Sequence, residues 1–232
     1  MKYIACAAIL ALGFTASGFT ASGFIAAGFA ADASAADSPP GGASLSDTRA
    51  AAERADPEAQ NRLGLICKEG RDGVARDDVE AVAWFRKAAE QGHAGAEINL
   101  ASMYLSGRGV ARDEHEAVAW LRKAAEQGSA EAQVGLGLSY QKGQGIAPDD
   151  AQALSWFRRA ADQGDAGGQL HLGFMYLEGR SVIQDNAQAI AWFRKAAEHA
   201  DGSNWTNSNR RLARQFLEMT GAGDTTTSAP AR

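Results

Sequence analysis

A tryptophan returns every 36 residues: Trp84, Trp120, Trp156 and Trp192 stand at that spacing, and the text behind each is nearly the same. Trp84 opens Trp-Phe-Arg-Lys-Ala-Ala-Glu-Gln-Gly, and close copies end at Gly128, Gly164 and Ala200. Self-similarity at a period of 20 to 50 residues marks an array of supersecondary units. No one unit can bury its apolar face alone, so the copies stack, each against its neighbours, with atypical units at the ends. The chain of 232 residues is therefore expected to form one elongated repeat domain.

Each period holds two helical patterns. The first runs from Ala59 to Cys67, Ala96 to Tyr104, Ala132 to Tyr140 and Gly168 to Tyr176, with apolar residues at i, i+4 and i+8. A small residue follows the central leucine each time: Gly64, Ala101, Gly137 and Gly173. Glycine inside a helix costs about 1 kcal/mol relative to alanine, so its use here predicts a neighbouring helix passing too close for a side chain. A glycine-rich turn, such as Gly107-Arg108-Gly109-Val110, then ends the first helix. No Gly-Lys-Ser/Thr follows it, which sets a phosphate cradle aside.

The second helix opens on Asp77, Asp113, Asp149 or Asp185, with Glu80, Glu116, Gln152 or Gln188 three residues on, the spacing of a capping box. Beyond it Ala81, Trp84, Phe85 and Ala88 form an i, i+3, i+4, i+7 stripe, repeated in the other three units and expected to face other helices. The basic pair after each aromatic, Arg86-Lys87 in the first unit, falls outside the stripe and reads as a solvated face. Ala51-Ala52-Glu53 aligns with Ala88-Ala89-Glu90, so residues from Leu45 read as a second helix whose first half is missing, an N-terminal cap. A polar helix from about Trp205 to Glu218 reads as the C-terminal cap. The predicted organisation is a repeat domain over 45–219 and a disordered tail over 220–232.

The N-terminus is of another kind. Lys2 is followed by an uncharged stretch from Tyr3 to Ala31, with an apolar run from Ile4 to Leu12 and small residues around Ala30 and Ala35. This is the pattern of a cleaved export signal over 1–35, followed by a flexible linker over 36–44, and it implies no integral span once the signal is removed. A retained membrane anchor is the rival reading. With the signal gone, Cys67 is the only cysteine, so no internal disulfide is expected. The net charge of −5 is spread without a basic stripe, which excludes nucleic acid as the expected partner.

The motif Ala-x-Ala-x-x-x-Leu-Gly-x-x-Tyr-x-x-Gly-x-Gly-Val, then Asp, then Ala-x-x-Trp-x-x-Lys-Ala-Ala-Glu-Gln-Gly, resembles the Sel-one-like repeat family over about residues 57–200. The resemblance implies an all-α, right-handed solenoid of four helix-turn-helix repeats with capping helices, acting as an adaptor or scaffold for other proteins. Some exported relatives carry a cysteine pair per repeat, and a penicillin-binding, β-lactamase-like role has been suggested for them. Here Cys67 stands alone where Tyr104, Tyr140 and Tyr176 stand in the other units, so neither feature carries over.

The resemblance to tetratricopeptide repeats further implies a concave wall lined by the first helices, two residues before and after each central leucine. Those positions are Asn61 and Leu65, Ile98 and Ser102, Val134 and Leu138, Leu170 and Phe174. Ile98, Val134, Leu138, Leu170 and Phe174 are the candidate partner-binding residues, for a peptide or helix of another protein. The competing expectation is that they pack on neighbouring helices. No catalytic motif stands out: there is no Ser-x-x-Lys or Gly-x-Ser-x-Gly, and His93, His115, His171 and His199 occupy unrelated positions in their units. A binding module without cofactor or metal is thus expected, with a cell-envelope hydrolase as the alternative.

Overall fold

The computed structural model describes residues 44–198 and 204–219. Within them the chain forms ten helices and no strand: α1 (Leu45–Glu53), α2 (Pro57–Glu69), α3 (Asp78–Glu90), α4 (Ala94–Ser106), α5 (Glu114–Glu126), α6 (Ala130–Lys142), α7 (Asp150–Asp162), α8 (Ala166–Glu178), α9 (Asn186–Glu198) and α10 (Asn204–Met219). The pairs α2/α3, α4/α5, α6/α7 and α8/α9 are the four units. Consecutive helices pack on one another, and α8 also reaches α6 and α10, so the first helices of successive units lie side by side. The expected all-α solenoid is what forms; the stretches read as export signal, linker and C-terminal tail lie outside the described residues, apart from Ser44, which caps α1.

Local chemistry sets each boundary. Asp77, Asp113 and Asp149 accept hydrogen bonds from the amides two and three residues on, at 2.9–3.1 Å, and so start α3, α5 and α7. The reciprocal half of the expected capping box is replaced in the first unit, where Glu80 accepts instead from the Trp84 indole at 3.2 Å. First helices end on a left-handed glycine, as at Gly107 with φ 68°. The amide of each N-cap Asp then donates back to the carbonyl of residue 67, 104, 140 or 176 at 2.9–3.1 Å, which fixes the hairpin angle.

The small residue after each central leucine does what its position predicts. A Cβ on Gly64, Gly137 or Gly173 would lie 2.6 Å from the ring of Phe85, Phe157 or Phe193, the fully buried aromatic of the same unit. Unit two uses the alternative pair, Ala101 with Leu121. Small partner and large partner are matched, and each pair fills the seam between the two helices of its unit.

The tryptophans part company with the rest of their stripe. Ala81, Phe85 and Ala88 are fully buried, whereas Trp84, Trp120, Trp156 and Trp192 are half-buried at the stripe's edge. Lys87, Lys123, Arg159 and Lys195 lie over their rings at 3.7–4.5 Å, so one residue of each basic pair covers an aromatic face rather than simply meeting solvent. The other residue reaches across units: Arg86, Arg122 and Arg158 donate to the hydroxyls of Tyr104, Tyr140 and Tyr176 at 2.9, 3.2 and 3.4 Å.

The end helices continue the array as halves. Gln60 donates to the Ala52 carbonyl at 3.0 Å, as Gln133 does to Ala125 at 3.2 Å, so α1 occupies the place of a second helix. At the other end Arg210 of α10 donates to the Ala197 carbonyl at 3.1 Å, and α10 takes the place of a first helix.

Candidate functional site

The candidate partner-binding residues all lie on first helices, and most are buried. Ile98 is 8 %, Val134 0 %, Leu138 7 % and Leu170 1 % exposed, while Phe174 is half-buried. Val134 and Leu138 join an apolar cluster with Phe157 and Met175, and Leu170 packs in the cluster of Phe193 and Ala213. The Phe174 ring meets Phe193 and Phe216 edge-on at 5.2 and 4.8 Å. Packing is therefore one role that these side chains perform. At the corresponding place in unit two, Ser102 is half-exposed and is the small member of the column Leu65, Ser102, Leu138, Phe174.

Polar side chains join the first helices as well. Asn99 donates to Asn61 at 3.1 Å across α4 and α2, Lys68 lies 3.5 Å from the Asn99 amide oxygen, and Gln141 points at the Met175 sulfur at 3.8 Å. This wall thus mixes polar bridges with buried apolar side chains such as Leu65, Ile98, Val134 and Leu170. Burial pushes the Glu131 carboxyl up to about 7, with Asp165 adding to the rise and Lys68 opposing it. Burial, assisted by Lys142, holds the His171 imidazole down at about 4, and its ring stacks on Phe157 at 4.9 Å. A histidine so held is neutral near pH 7 and serves as an aromatic wall. Cys67 is fully buried, and burial first, then Glu80, pushes its thiol up to about 11, which leaves it inert in the folded protein.

Sequence reasoning missed a second set of residues, at the loop edge. Arg108, in the turn of unit two, makes a bidentate pair with Asp78 at the start of α3, at 3.1 and 2.7 Å. Arg180 does the same with Asp150 at the start of α7, at 3.0 and 2.6 Å. Asp78 also holds Arg76 at 2.9 Å, and the two guanidiniums, Arg108 foremost, keep its carboxyl down at about 2. Each latch ties the loop of one unit to the unit before it. The backbones also approach closely at the turns of units two and three, whether or not a latch is present: a Cβ on Gly109 or Gly145 would fall 2.0 Å from the carbonyl oxygen of Asp78 or Glu114. The signal was present in sequence as arginine at turn positions 108 and 180, 30 residues beyond an aspartate. Nothing local to either residue pairs them.

Comparison with known proteins agrees with this geometry. A family model described as the Sel1 repeat matches residues 57–93, 94–129, 130–165 and 166–201, and these spans are the four helix pairs. No curated protein matches the chain. Among solved structures, c5321, a protective antigen present in uropathogenic Escherichia coli strains and displaying an SLR fold, is 35% identical with a TM-score of 0.66. That match covers 77% of this chain but only 41% of c5321, so the chain spans about two fifths of that protein. A Sel1 repeat protein from Oxalobacter formigenes is 29% identical with a TM-score of 0.65, covering 75% of this chain and 76% of the other. A Klebsiella pneumoniae protein, 23% identical with a TM-score of 0.53 over 76% of this chain and 91% of its own, shares the fold.

Proposed function

Since the chain belongs to the Sel1 repeat family, whose members are generally protein-interaction adaptors, we propose that it is a non-catalytic adaptor or scaffold of the periplasm or cell envelope. In this reading a peptide or helix of a partner protein lies along the wall of first helices, taken as concave. The observation that carries it is the alignment of those helices, bridged by Asn61 and Asn99 in units one and two and by Gln141 and Met175 in units three and four. Along the aligned wall the column ends in Leu138 and Phe174, and an amphipathic segment could add its apolar face there, close to Ile98, Val134 and Leu170. The export pattern of residues 1–35 supports the envelope setting.

Ser102 allows the wall to be tested without cutting into the core. A photo-crosslinking residue at Ser102 should label a discrete partner in envelope fractions, and the same residue at Glu126 on α5 should not. Ser102→Trp should abolish partner capture while leaving the thermal melt in place. Equal labelling from both positions, or undiminished capture by Ser102→Trp, would exclude the wall as the binding surface. The envelope setting has its own check. The mature chain should have an intact mass that begins near Ala31 or Ala36, and recovery of the full-length chain in the membrane fraction would overturn it.

A further inference from the structure

The latch that ties unit two to unit one and unit four to unit three is missing between units two and three. Position 144 holds glutamine where 108 and 180 hold arginine, and Glu114 stands at the place of Asp78 and Asp150. No hydrogen bond joins Gln144 to Glu114 among the described residues, and the Gln144 Oε1 is buried without a partner. A shallow, open cleft of about 560 Å³ lies beside this point, lined by Arg112, Asp113, Glu114, His115, Gly143, Gly145, Ile146 and Ala147. Glu114 holds one guanidinium, that of Arg112 at 2.5 Å, whereas the equivalent Asp78 holds two.

We propose that this cleft takes an arginine side chain supplied by a partner protein, seated where Arg108 and Arg180 sit in the neighbouring units. The carboxylate acceptor fits a guanidinium in particular. The two oxygens of the Glu114 carboxylate match its planar fork, and the half-buried Ile146 offers an apolar wall to the methylenes. An ammonium is a point charge and fills only part of that pattern. The precedent lies within the chain: Arg76, Asp77 and Asp78 have the same charges as Arg112, Asp113 and Glu114, and they accommodate a second arginine. The cleft lies at the loop edge, away from the wall of first helices, so the site stands or falls separately from the groove.

The test is a nitrogen-15 NMR titration of the full chain with Nα-acetyl-arginine methylamide, with the lysine analogue and free L-arginine in parallel. The expected result is saturable shifts confined to the amides of residues 114–115 and 143–147, with the lysine analogue about tenfold weaker, the loss expected when a fork gives way to a point charge. Gln144→Arg, which supplies the guanidinium from within, should abolish the shifts, and so should Glu114→Gln. Equal binding of the lysine analogue, shifts at Asp78 or Asp150 as large as at Glu114, or persistence in either variant would overturn the site. So would the absence of any saturable shift. Free L-arginine binding tenfold tighter than the capped form would replace the partner's side chain with a free amino acid as the occupant.

Discussion

Gly137→Ala tests the matching of small and large side chains that sets the spacing of each helix pair. The new methyl would lie 2.6 Å from Cε1, 2.8 Å from Cδ1 and 3.1 Å from Cζ of Phe157. Relief needs the ring to move by nearly 1 Å, yet it is 0 % exposed and stacked on His171 at 4.9 Å. Overpacking of this kind costs about 1–3 kcal/mol, and a ring so fully buried belongs in the upper half of that range. Alanine regains about 1 kcal/mol of helix propensity, which leaves a net loss of about 1–2 kcal/mol. At about 2–4 °C per kcal/mol for a domain of this size, the melt should fall by about 2–8 °C. The decisive measurement is the double variant Gly137→Ala with Phe157→Leu, which recreates the Ala101 and Leu121 pair of unit two. Urea melts of the wild type, both single variants and the double should give a favourable coupling of at least about 1 kcal/mol, beyond the roughly 0.5 kcal/mol within which independent sites add. Additive losses, or a Gly137→Ala variant as stable as the wild type, would refute the close-approach account of the glycine column.

Ser181 sits at φ 53° where the matching Gly109 and Gly145 have φ 66° and 64°, so Ser181→Gly should raise stability by about 1 kcal/mol, and a lower melting temperature would contradict this. Trp156→Ala should cost only about 2 kcal/mol, from half a side chain's burial and the contact with Arg159, against about 3–5 kcal/mol for Phe157→Ala; equal losses in denaturant would place the tryptophan in the core after all. Because Arg108 and Arg76 hold the folded Asp78 carboxyl near 2, below its ordinary 3.8, its stabilising share is complete above about pH 4 and is lost as pH falls through 3.8 toward 2. Asp78→Asn should flatten that part of the acid-side stability curve, and an unchanged curve would show that the latch contributes nothing.

Much of this architecture is legible in one dimension. The 36-residue period, the N-cap aspartates, the glycine stops and the half-repeat nature of α1 are all short-range or repetitive features. A cap needs only the next three amides, and a copied unit must pack as its copies do. The glycines in the first helices could be read as close approaches because their propensity cost has no other local return. The partner in each approach, Phe85, Phe157 or Phe193, appears only in the fold.

Trp84 and Phe85 share one apolar stripe, and 3.6-residue periodicity assigns both to the same face. Which edge of that face is covered depends on where the next unit's helices cross it, and the stack buries the phenylalanine and leaves the tryptophan half-open beneath a lysine. The same holds for Leu138 and Leu170, whose place on the wall follows from register but whose near-complete burial follows from the stack. The latches lie furthest from sequence reasoning. Arg108 and Asp78 are 30 residues apart on segments that share no local periodicity, so only the rotation between successive units brings them together. The gap at Gln144 and Glu114 therefore becomes visible only once its filled counterparts have been seen on either side of it.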